Sequence, residues 1–391
     1  MCNLNYEDYP CLNTGILRFD RLWLFEMLFH YSSFGTIDWY AKDKINVLDM
    51  GCGTCECAVA AALKYKNVTI HCVDVSENIL EYGKKLAEKY NVDNIRFYVG
   101  SIYTINLPIK FDAVILSGVI HHLKNPLIGI NNILKLCTDS CVFAFYIYSL
   151  NGRFDVLRIQ NALSLLYREK TLSEQISIVR DLINENNKGL RTVLSWKQNH
   201  GVLNDCYSDN FLVDMFAPGF EKLFSLPEVF RFLDRANLDF VRFVNETSWD
   251  PNLYFNNPEL LKEIANLSKN EKYFLVDNLI MSENGYEFIA IKKGNKRKFH
   301  KRQPSELGKT IKRCAYGELK YDHNNNAYVK LLFDDSIMYM NQLEATIYKL
   351  ACEGSTIRKC IIKCKVNNIY YDDEFYETLL RLEKEAVIAV N

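Results

Sequence analysis

Two adjacent histidines, His121 and His122, follow an apolar run, Phe111 to Leu116, in the stretch Ser117-Gly118-Val119-Ile120-His121-His122-Leu123. Histidine is the side chain whose proton affinity lies nearest neutral pH, so a base at a strand end fits either position. His122 is the favoured base, because its place in the turn lets it face a ligand. The plain alternative is packing or capping of the helix that follows. A second apolar run, Cys141 to Tyr148, ends in a phenol, Tyr148, able to donate or accept a hydrogen bond near a reacting atom. A third stretch, Val47-Leu48-Asp49-Met50-Gly51-Cys52-Gly53-Thr54-Cys55, turns on glycines. Gly51 and Gly53 lack a Cβ, so the backbone can turn tightly and approach a ligand. The small-residue helix beyond, Ala58 to Ala62, points its free N–H groups at the turn. About 20 residues further on, the run Val68 to Val73 ends in Asp74, where nucleotide-binding sheets place the carboxylate for a ribose hydroxyl pair.

These residues need strands to hold them. Short apolar runs alternate with amphipathic helices from residue 45 to 148: Val68 to Val73, Asn94 to Val99, Phe111 to Leu116 and Cys141 to Tyr148 are expected strands. Ser76 is the expected cap of a helix from Glu77 to Tyr90. In an open α/β sheet, ligands bind at the carboxyl ends of the strands. Asp49, Asp74, Ser101, Ser117 and Tyr148 are therefore expected at one mouth.

The succession V-L-D-M-G-C-G-T, strand-end Asp74 and F-D-A-V-I-L-S-G-V-I-H-H-L resembles the class I S-adenosylmethionine-dependent methyltransferases, over roughly residues 1–293. Two positions depart from the family pattern: its third glycine is Cys55, and the acidic residue common after its third strand is Ser101. The resemblance implies a Rossmann-like, seven-stranded, doubly wound α/β sheet. It implies S-adenosyl-L-methionine as cofactor, with contacts from Asp49, Gly51, Cys52, Gly53, Asp74, Val75, Ser101, Ile102 and Ser117. It implies methyl transfer, with His122, His121 and Tyr148 as the candidate catalytic groups.

Around this core, Tyr6-Glu7-Asp8-Tyr9-Pro10 resembles a segment preceding the fold in some bacterial methyltransferases, and an apolar helix is expected over Ile16 to Phe34. Residues 149–224 read as a helical cap over the mouth, with helices at Asp155 to Glu169, Thr171 to Asn186 and Tyr207 to Phe216. His200, Asp205, Tyr207, Asp209 and Asp214 are its polar candidates for substrate contact. Helices are expected from Ser225 to Ala236, Pro258 to Leu267 and Lys272 to Ile280, a strand from Leu238 to Val244, and an antiparallel last edge strand from Tyr286 to Lys292. Residues 294–319 are a basic linker in this reading. Residues 320–391 form a small α+β unit of winged-helix-like plan: a hairpin around Asp334-Asp335, helices beginning at Asn341, at Ser355 and after Asp372, and a closing strand from Ala386 to Val390. This unit resembles both the peptide-recognition module of ribosomal-peptide biosynthesis enzymes and the C-terminal module of some bacterial protein lysine methyltransferases. Methyl transfer to a docked peptide or protein is the first expectation. A small-metabolite acceptor with the unit serving dimerisation is the second. A non-catalytic cofactor-binding scaffold is the third.

Composition bounds the rest. A chain of 391 residues with net charge −1 has no global field drawing it to nucleic acid or membrane. The helix from Ser355 has one arginine and no amide side chain to read base edges, which argues against nucleic acid. No signal peptide is read, and no apolar run nears the ~18 residues of a membrane span. A cytoplasmic protein with its 13 cysteines reduced is the expectation. Cys52-x-x-Cys55-x-Cys57 has the look of a metal motif, but an ion there would compete with the cofactor. No metal is expected.

Overall fold

The computed structural model describes residues 25, 44–185, 188–199, 208–244, 247–279, 284–294, 311–313, 319–322, 324–330, 337–353, 355, 360, 378–379, 382 and 388–390. The stretch Tyr6 to Pro10 and the helix expected over Ile16 to Phe34 lie outside these residues, apart from Phe25, which is helical and buried.

The core begins with β1 (Ile45–Met50), α1 (Glu56–Lys64), β2 (Val68–Asp74), α2 (Glu77–Lys89), β3 (Ile95–Val99), β4 (Phe111–Ser117), α3 (Pro126–Lys135) and β5 (Cys137–Tyr148). The first four of these strands and β5 run parallel. Helices cover both faces, so β1, β2, β4 and β5 from Cys141 onward are largely buried and their sequences are mostly apolar. Ser76 accepts the Ile79 N–H and starts α2 as expected. The sheet continues through β6 (Leu238–Phe243), which follows α8 (Leu226–Arg235), and β7 (Gly285–Lys292).

Strand order is β3-β2-β1-β4-β5-β7-β6. The seventh strand is antiparallel to both neighbours. It is interior, which corrects the expected edge position; β6 forms that edge. Tyr286, Phe288, Ile289 and Ala290 are buried, whereas Asp239, Phe240 and Val241 of β6 are only half-buried. Two apolar cores result, one on each sheet face. The chain leaves β1 toward β2 on one side and re-enters at β4 on the other. The switch point where ligands bind such sheets therefore lies at the carboxyl ends of β1 and β4.

After β5 the chain forms α4 (Phe154–Leu166), α5 (Leu172–Asn184), α6 (Arg191–Asn199) and α7 (Asp209–Phe216). A third core joins them around Trp196, with Val156, Leu163, Ile176 and Phe216. The sixth helix was not expected: in R-T-V-L-S-W-K-Q-N only Val193 and Trp196, three apart, are buried apolar residues. The two ends of the cap meet. Ser149 bridges Phe224 in parallel, Phe224 N–H donates to Tyr148 O at 3.0 Å, and Leu150 N–H donates to Phe224 O at 2.8 Å. Helices α9 (Pro258–Ala265) and α10 (Lys269–Leu279) lead to β7.

Beyond the sheet, β8 (Ile311–Arg313) lies within the stretch read as a linker and pairs antiparallel with β12 (Ile388–Val390). A separate three-stranded sheet contains β9 (Lys320–Tyr321), β10 (Ala327–Lys330) and β11 (Ile337–Met340). The expected hairpin strands pair, although the turn at Asp334-Asp335 lies outside the described residues. Asn341 and Glu344 form a full capping box on α11 (Gln342–Cys352), which buries Leu343, Ile347 and Leu350. The two later helices expected for a winged-helix plan fall almost wholly outside the described residues.

His71 lies in β2, buried, with Nε2 3.2 Å from Asn46 Oδ1 and Nδ1 3.2 Å from Tyr98 Oη. Burial pushes its pKa from 6.5 down to about 4, and the charges of Arg96 and Lys44 add to this. A depressed histidine contributes stability that is complete above its unfolded pKa and is lost as pH falls through the folded one. Between pH 6.5 and 4 the protein should therefore lose stability, and His71→Gln should lose less over that interval. Urea midpoints across the range measure the difference; equal slopes would remove His71 from the effect.

Candidate functional site

The glycine turn is held by one carboxylate. Asp74 Oδ2 accepts the Gly53 N–H at 3.1 Å and Asp74 Oδ1 accepts the Ser76 N–H at 3.1 Å. Gly51 and Gly53 have φ of 71° and 54°, and Gly118 after β4 has 74°, all in the region that disfavours a side chain. A Cβ on Gly51 would come within 2.5 Å of Val119 Cγ2, so the two loops of the switch point touch there. At Gly53 and Gly118 a Cβ would meet nothing within 4 Å, which leaves an open cradle beside the turn. Val75 is 39% exposed at the end of β2, an apolar surface beside Asp74. Ile102 is buried against Gly129, and the Ser101 hydroxyl accepts the Tyr103 N–H at 3.3 Å. Ser117 is exposed at the end of β4. Cys52 sits half-buried between the two glycines.

The electrostatics of this mouth favour a cation. Burial pushes the Asp49 carboxyl well above the usual carboxylate range, and the Cys55 and Asp74 charges push the same way. Burial also raises Asp74, offset by the N–H groups of Ser76, Gly53 and Val75. A positively charged ligand would return both carboxyls toward their ionised form.

The candidate catalytic groups divide. His121 is completely buried. Its Nδ1 accepts the Tyr148 N–H at 3.1 Å, and its ring stacks on Tyr148 at 3.7 Å between centroids. Burial holds it well below its ordinary pKa, with His122 and Arg153 adding. The His121 ring is packed on Tyr148 and has no exposed surface. His122 lies beside it, with Nδ1 3.0 Å from the Phe220 carbonyl oxygen. A carbonyl only accepts, so Nδ1 carries the proton and the lone pair is on Nε2. Burial lowers the His122 pKa despite the Phe220 hydrogen bond and Asp214, keeping the ring neutral at pH 7.

Tyr148 Oη lies 3.5 Å from Asp214 Oδ2, a cap residue. Burial drives the phenol well above its usual pKa, and Asp214 adds to this, so Tyr148 is a neutral donor. The Arg153 guanidinium lies 3.8 Å from the Tyr148 ring centroid and pairs with Glu221 at 3.1 Å, both side chains being 3% exposed or less. Glu221 is also held by Gln160 Nε2 at 3.3 Å. Sequence reading assigned Arg153 and Glu221 no role; the available signal was an arginine just after β5. Among the cap candidates, Asp214 reaches the mouth and Asp209 pairs with Arg180 at the surface. His200, Asp205 and Tyr207 lie outside the described residues.

Comparison with known proteins fits this geometry. Residues 41–204 match a family model described as a methyltransferase domain. An uncharacterized protein of Synechococcus sp. is 24% identical over 248 residues, covering 62% of this chain and 59% of the relative, so the match spans under two thirds of that relative's length. The (S)-coclaurine N-methyltransferase of Thalictrum flavum subsp. glaucum is 31% identical over 84 residues, 22% of this chain and 23% of the relative. The structure of PKMT2 from Rickettsia typhi aligns with 98% of this chain and 77% of its own, at TM-score 0.63 and 14% identity. Its complex with AdoHcy aligns with 89% of this chain and 71% of its own, at TM-score 0.61 and 13% identity.

The open cradle, the exposed Val75 and the desolvated carboxyls fit a cationic nucleoside cofactor, for whose ribose hydroxyls Asp74 is the candidate contact. Asp74→Ala removes both a charged acceptor and the clamp on Gly53, and should weaken cofactor binding by ~1.5–3 kcal/mol. Calorimetric titration tests this, and unchanged affinity would remove Asp74 from the site. Residues 45–292 thus form a Rossmann-like methyltransferase fold, and S-adenosylmethionine is the cofactor that goes with it.

Proposed function

We propose that the protein methylates a side chain of a peptide or protein, at a site enclosed between the sheet and the helical cap. One observation carries the catalytic part of this reading. Neutral His122, Tyr148 and cap residue Asp214 gather at the carboxyl ends of β4 and β5, beside the glycine turn. The acceptor class is supported by the whole-chain likeness to PKMT2, which runs on past the sheet.

When bound, S-adenosylmethionine supplies an electrophilic methyl group on a sulfonium. The chain's task is to align an acceptor with that carbon and keep water out, and alignment carries much of the rate. Tyr148 and Asp214 orient the acceptor by hydrogen bonding. His122 Nε2 takes the proton that the acceptor gives up, and its Nδ1–H stays fixed on the Phe220 carbonyl. The Arg153–Glu221 pair holds the cap segment over Tyr148.

His122→Ala should lower kcat about 100-fold, a typical general-base contribution, with cofactor affinity retained. Because burial depresses the His122 pKa, the acid limb of kcat/KM should lie below pH 6.5. Tyr148→Phe should raise the KM for the acceptor. The decisive experiment incubates methyl-labelled cofactor and the protein with extract of the source organism, then separates by size. Label in the macromolecular fraction supports the proposal. Label in small molecules alone overturns the acceptor class, and tight cofactor binding without labelling overturns the catalysis.

A further inference from the structure

The cofactor turn contains chemistry that methyl transfer does not use. The Cys52 and Cys55 sulphurs are 3.4 Å apart, and the Cys72 sulphur, from β2, lies within 4.8 Å of both. The Cys55 N–H donates to the Cys52 carbonyl at 3.2 Å, closing a four-residue turn with the two cysteines at its ends. Cys55 takes a strained position for a cysteine, with φ of 59°, where glycine is favoured. A neighbouring helix yields space to it: a Cβ on Gly83 of α2 would lie 2.8 Å from Cys55 Sγ. A glycine inside a helix costs about 1 kcal/mol relative to alanine, so room for this thiol is kept at two sites.

Charge decides what the cluster is for. Burial pushes the Cys52 and Cys72 thiols up, while hydrogen bonds from these two bring Cys55 down to about 6. A metal trithiolate would add negative charge to a buried place already holding Asp49 and Asp74. A disulfide is neutral and suits it.

We propose that Cys52 and Cys55 form a reversible thiol–disulfide site that lowers affinity for the cofactor when oxidised by a small hydroperoxide. The half-buried Cys52 is the point of attack. The proton shared by the pair moves to Cys55, and Cys52 sulphur takes the distal peroxide oxygen. The S–O bond forms, the O–O bond breaks, and the leaving oxyanion takes a proton from water. Cys55 sulphur then attacks Cys52: the S–S bond forms, the S–O bond breaks, and the hydroxide leaves with the Cys55 proton as water. Two thiols are oxidised and one hydroperoxide is reduced. Closing the sulphurs from 3.4 Å to about 2.05 Å pulls on the turn whose Gly53 N–H is bound to Asp74.

The inference rests on the cofactor site and is independent of the acceptor, because its readouts are mass and cofactor binding. Reduced full-length protein is treated with hydrogen peroxide and mapped by trypsin and mass spectrometry after alkylation. Trypsin leaves Cys52, Cys55 and Cys57 in one peptide and Cys72 in another, so a bridge to Cys72 would appear as a cross-link. The expected product has lost two hydrogens between Cys52 and Cys55, with Cys57 alkylated. Its cofactor affinity should fall about tenfold, the value of one lost hydrogen bond, and return on reduction. In Cys55→Gly the affinity should no longer respond to peroxide. Peroxide that oxidises exposed Cys352 but leaves the pair reduced would overturn the proposal, as would a bridge with unchanged affinity. Stoichiometric zinc or copper bound by the three thiols in the purified protein would replace it with a metal site.

Discussion

The clamp between Asp74 and the two N–H groups of Gly53 and Ser76 is the contact on which the cofactor half of this protein depends. It joins three elements that sequence separates: the turn after β1, the end of β2 and the start of α2. One carboxylate accepts from both loops, so the turn keeps its left-handed glycines without relying on a ligand to shape it. The same burial that makes the clamp strong makes its charge costly, and a cationic partner relieves that cost. Cradle and ligand preference therefore have one origin.

The cap side of the mouth rests on a different contact. Tyr148 is gripped by His121, stacked at 3.7 Å, and by the Arg153 guanidinium at 3.8 Å. Arg153 in turn is neutralised by Glu221 with almost no solvent access. Removing one member of a buried ion pair costs about 3–5 kcal/mol, because the other is left charged in the interior. This pair fixes where the cap lies over β5 and thereby where Asp214 meets Tyr148.

Much of the cofactor half was legible because it is written locally. The glycine turn, strand-end Asp74 and the buried parallel strands each follow from a few consecutive residues, as does the Ser76 cap. What was hidden depends on contacts far apart in the chain. The interior place of β7 is set by pairing with β5 and β6, and an apolar strand reads alike at an edge and inside. The sixth helix has little apolar periodicity and is held by Trp196 inserting among the other cap helices. Arg153 and Glu221 are 68 residues apart and look like ordinary surface charges until folded together. The cysteine spacing was visible, but the partner that joins it is Cys72 from the next strand rather than Cys57.

The meeting of Ser149 with Phe224 has a consequence for how such a protein changes over time. The cap leaves the sheet at Ser149 and returns to it at Phe224, so a change of length between its helices leaves the strand order untouched. Closing a longer loop costs only about 0.6 kcal/mol for each doubling of its length. The lid can therefore be lengthened, trimmed or rebuilt for a new guest while the nucleoside half of the molecule keeps its shape.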